Sequence, residues 1–122
     1  MARAPLDELR ALLDAAVADP DAADPQAVAA AAAAQFAALK RTDMRSGVAN
    51  IIRRLAQLAA SGDQPVERDG WALLRQAADM LTRPGLVPED VRRLDERLQE
   101  IGLDVDYQPP MPAHQPGRPN PN

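Results

Sequence analysis

Residues 43–62 read DMRSGVANIIRRLAQLAASG, and this stretch decides the fold. Met44, Val48, Ile51, Leu55 and Leu58 recur in alternating steps of four and three. That spacing lines apolar side chains along one helix face and packs them on a second helix. A strand would need apolar residues at every second position, and the run has no such alternation. Asp43 is a favoured helix cap, and Ser61-Gly62 is a favoured stop. The stretch predicts a helix over about residues 43–60.

Upstream, Pro25 behind Asp24 opens another helix, with Val28, Ala32, Phe36 and Leu39 on its apolar face. No proline separates it from the next helix, so phase decides whether the two are one rod. At about 100° per residue the two apolar faces lie about 125° apart on a straight rod. A break near Thr42-Asp43 lets both faces meet one core, and a break is expected there. The alanines of residues 27–34 carry little volume and allow a neighbouring helix to approach closely.

Further out, Pro5, Asp7 and Glu8 start a first helix that carries Leu6, Leu9 and Leu13 and ends near Ala18, before Asp19-Pro20-Asp21. A fourth helix covers about residues 66–82, with its start shifted toward Asp69 because Gly70 weakens a helix interior. It carries two adjacent apolar rows: Trp71, Leu74, Ala78 and Leu81, then Leu73, Ala77 and Met80. So broad an apolar face belongs to a central helix or to one shared with a partner. A fifth helix opens at Pro88. It aligns Val91, Leu94, Leu98 and Ile101, with Leu86 and Val91 as a staple, and closes at Gly102-Leu103.

Composition agrees with helices throughout. The 122 residues include 25 alanines, 14 leucines and only three aromatics. Alanine is the best helix former, and strand-forming β-branched and aromatic residues are scarce. The expected fold is all-α: a compact bundle of four to five short helices over residues 1–103. Residues 104–122 hold six of the twelve prolines and read as a disordered, proline-rich tail. Pro109, Pro112, Pro116 and Pro119 suit polyproline II, and Tyr107 and Met111 are the anchors such a tail would offer a partner.

Several chemistries lack their residues. There is no cysteine, so thiolate metal sites and disulfides are excluded and a reducing, cytoplasmic setting is expected. The single histidine, His114, lies in the tail without a second group to orient it. Ser46 and Ser61 sit in no nucleophile motif. Asp19, Asp21 and Asp24 lack the glycine and distal glutamate of a calcium loop. No apolar run reaches the ~20 residues of a membrane span, and no secretory leader is visible. A non-enzyme without cofactor or metal is expected. Thirteen arginines against one lysine, with so much Ala, Pro and Asp, suggest a GC-rich bacterial genome.

One local feature goes beyond packing. Residues 40–54 hold Lys40, Arg41, Arg45, Arg53 and Arg54 against Asp43 alone. That is a local charge of +4 in a chain of −4, which leaves −8 for the rest. Arg41, Arg45 and Arg53 form one stripe if the helix reaches back to Arg41. The stripe has three readings: pairing with the chain's own aspartates, an acidic protein partner, or nucleic acid. The leading expectation is a helical accessory or adaptor protein that docks on a larger protein or on itself. Its contact residues would be Arg41, Arg45, Arg53, Arg54, Leu73, Met80 and Tyr107. A nucleic-acid-associated helical protein using residues 40–54 is the runner-up.

Overall fold

Helix boundaries fall where the capping residues put them. The computed structural model describes residues 4–83 and 85–103, which form five α-helices and no strand. The expected tail, with Tyr107 and His114, lies outside the described residues.

α1 (Pro5–Ala18) and α2 (Pro25–Ala38) are joined by a short 3-10 turn at Pro20–Ala22. The Asp24 carboxylate accepts the Ala27 N–H at 3.1 Å and so satisfies one of the donors a helix start leaves open. α2 ends at Ala38, Leu39 is extended, and α3 (Met44–Ser61) starts after Asp43. The break between the two helices therefore exists, and it spans residues 39–43. Gly62 closes α3 at φ +82°, a backbone conformation that costs other residues. There Asp63 N–H bonds Leu58 C=O at 3.0 Å and Gly62 N–H bonds Ala59 C=O at 3.2 Å.

α4 (Arg68–Met80) starts beside Asp69, as expected, and ends before the expected residue 82. Leu81, Thr82 and Arg83 continue it only as i→i−3 turns, each N–H···O about 3.1 Å. α5 (Pro88–Glu100) ends as its sequence predicts. Leu103 N–H bonds Leu98 C=O and Gly102 N–H bonds Gln99 C=O, both at 2.9 Å.

α1 to α4 run alternately up and down around one core. Arg75 of α4 meets Asp14 of α1 at 2.6 Å, and Arg68 donates to the Val17 C=O at 3.0 Å, so these helices are antiparallel. Gln26 and Ala29 of α2 lie beside Gln57 and Ala60 of α3, which makes that pair antiparallel too. α2 and α3 pack more extensively than any other pair, as the small alanine side chains allow. α5 lies across α3 and α4.

The core collects Leu9, Leu13, Val28, Ile51, Leu55, Trp71, Leu74 and Leu98, all at most 1% exposed. Two details differ from expectation. Ile52 is buried although it lies off the predicted α3 row, while Met44 and Leu58 are only half-buried. The reason is that α3 has α2 on one side and α4 with α5 on the other, so its apolar arc is wider than one row. Ile101 lies beyond the end of α5 and is 38% exposed. Gly70 is the third residue of α4, so the start lies within one residue of Asp69 as expected, and a Cβ at Gly70 would meet Leu103 Cδ1 and Val66 Cγ1 at 2.8 Å.

Candidate interaction surface

The 39–43 break positions the basic segment, and it divides the arginines into two groups. Arg45 belongs to the first. Asp43 caps α3 by accepting the Arg45 N–H at 3.0 Å, which turns its carboxylate toward the Arg45 side chain. The guanidinium then closes a fork on that carboxylate, with Nη2 to Oδ2 at 2.6 Å and Nε to Oδ1 at 3.1 Å. Nη1 also reaches the Leu81 C=O at 3.4 Å, at the end of α4. The side-chain bond from Arg45, helped by its backbone N–H, holds the Asp43 carboxyl below the usual carboxylate range. The same side-chain bond raises Arg45 further above its already high value. Arg45 is thus a structural tie between α3 and α4.

Arg41 and Arg53 form the second group. Arg41 precedes α3 and cannot share a helical stripe with Arg45 and Arg53, so the expected stripe does not form. Phe36 brings the two together instead. The Arg41 guanidinium lies 5.3 Å from the Phe36 ring centroid and that of Arg53 lies 5.6 Å from it. Both fall within cation–π range of one half-buried ring. Arg53 is fixed further because its Nε and Nη2 donate to Asn50 Oδ1, the first at 3.1 Å. Lys40 and Arg54 flank the pair in sequence and are exposed. None of Lys40, Arg41, Arg53 and Arg54 pairs with a carboxylate among the described residues.

Phe36 was legible only as an apolar residue of α2. Its position near the end of that helix, five residues before Arg41, is the signal that marks it as a platform.

Leu73 and Met80 occupy a different place. They are 7% and 9% exposed and lie at shallow grooves between α4 and α5. Both are buried, so α4 is a central helix and its second row is not a free face. Tyr107 lies outside the described residues.

Other charges tie α1 to α4. Arg75 bridges Asp79 and Asp14, both at 2.6 Å, and these bonds, Asp79 first, raise the arginine further above its usual value. Arg10 approaches Asp79 at 3.7 Å. Among the described residues no three His, Cys, Asp or Glu side chains are grouped to hold a metal ion. No described helix is long and apolar enough to cross a membrane. The chain matches no family model, curated protein or solved structure.

Proposed function

We propose that this chain is a non-catalytic helical adaptor of the cytoplasm that docks on a larger protein through Phe36, Lys40, Arg41, Arg53 and Arg54. One observation carries the reading: a single ring orders two guanidiniums that no carboxylate of the described bundle neutralises. Ordering an arginine before binding reduces the entropy lost on association. Arginine is also enriched among the residues that dominate interface energies. Arg45 supports the same division, since the bundle retains one arginine of the segment for itself and leaves the others outward. The apolar row at Leu73 and Met80 contributes to folding in this reading, and docking relies on the basic surface.

The test is affinity capture from an extract of the source organism, comparing the wild-type chain with Arg53→Glu/Arg54→Glu. Arg54 is exposed and Arg53 half-buried, so the melting temperature of the variant is measured beside its capture. The reading predicts one protein captured by wild type and lost by the variant. Equal capture by both would rule it out. A captured fraction dominated by nucleic acid, released by moderate salt, would favour the runner-up.

A further inference from the structure

We infer that the Phe36–Arg41–Arg53 surface recognises a short acidic segment, a pair or run of Asp and Glu side chains on the docked partner. The inference rests on the docking reading and names the chemistry that the surface selects.

Guanidinium geometry comes first. A guanidinium offers a planar fork that matches a carboxylate, and charge-assisted bidentate pairs are the strong ones. The chain already contains such a pair at Arg45 and Asp43. Arg53 commits Nε and Nη2 to Asn50, and its Nη1 has no hydrogen-bond partner among the described residues. Arg41 is exposed with its whole fork available.

Spacing comes second. Both guanidinium carbons lie over one ring, so they are within about 11 Å of each other, close to one Debye length at ordinary ionic strength. Carboxylates two residues apart on an extended peptide sit about 7 Å apart on one face, within reach of both forks.

Nucleic acid fits less well. The Phe36 ring is taken up by guanidiniums, while base stacking needs an open aromatic face. The rest of the chain carries −8, so a long polyanion meets repulsion beyond the patch and a short acidic segment does not.

An NMR titration of the full chain at low salt tests this, with a Glu-rich peptide as probe and a single-stranded oligonucleotide of equal charge beside it. The peptide should give saturable shifts at the Arg41 and Arg53 side-chain N–H groups and at the Phe36 ring. Arg41→Gln/Arg53→Gln should weaken it about tenfold. Phe36→Leu, which keeps apolar bulk and removes the platform, should weaken it several-fold with the melting temperature nearly unchanged. Absence of shifts at Arg41 and Arg53 overturns the inference, as does tighter binding of the oligonucleotide. If capture depends on Arg53 and Arg54 while the peptide leaves this surface unmoved, acid recognition falls and docking stands. If the peptide binds and capture is independent of those arginines, docking falls and acid recognition stands.

Discussion

Asp43 is one residue with two physical tasks. Its carboxylate satisfies an open N–H at the start of α3, and it neutralises Arg45, which ties α3 to the end of α4. Asp43→Ala removes both and should cost about 1–2 kcal/mol in chemical denaturation. Asp43→Asn keeps a capping oxygen and should cost less. The two variants together separate cap from charge. Because Arg45 lowers the folded-state value of Asp43, its charge stabilises the fold fully above the unfolded value of about 3.9 and loses that effect as the pH falls through the lower folded value. The difference between wild type and Asp43→Asn should therefore be constant near neutrality and narrow below about pH 4. A gap that widens in acid would show that the Asp43 carboxylate does not act through Arg45. The sequence showed Asp43 as a cap and as the sole acid among five cations. It did not show which cation Asp43 would claim, because that depends on the cap turning the carboxylate back toward the second residue of the helix.

Helices were the most legible level. Pro5, Pro25 and Pro88 begin three of them, and Gly62 and Gly102 close two. Local rules were enough there because caps act within a few residues. Propensity placed the start of α4 near Asp69, one residue from Arg68, but local rules did not show what packs against Gly70. Leu103 comes from the far end of α5 to lie where a Cβ would be, and no local rule reads a contact that spans so much chain. Gly70→Ala sets a propensity gain of about 1 kcal/mol against an overpacking cost of about 1–3 kcal/mol. A net loss of roughly 1 kcal/mol is expected from these terms. In a Leu103→Ala background one of the two obstructing side chains is gone, so the same change should cost less. A double-mutant cycle measures this coupling, and simple additivity would show that Leu103 does not enforce the glycine. Ile101 failed for a related reason: its row position assumed a helix that α5 had already ended.

At the scale of the molecule, the all-α bundle followed from alanine content and helical spacing, and the proposed docking surface did not. The arginines were visible as a cluster along the chain. Their separation into one structural tie and one ordered pair needed the 39–43 break to carry Arg41 back over Phe36 while α3 carried Arg53 to the same ring. Leu73 and Met80 were legible as the row of a central helix or of one shared with a partner, and their burial decides for the first. The proposed partner site is this basic surface. Hydrogen exchange of the full chain, alone and in its captured complex, locates the contact. Added protection is expected at residues 36–54, with α1 and α5 nearly unchanged. Protection on α1 or α5 with residues 36–54 unaltered would place the partner elsewhere and overturn the proposal.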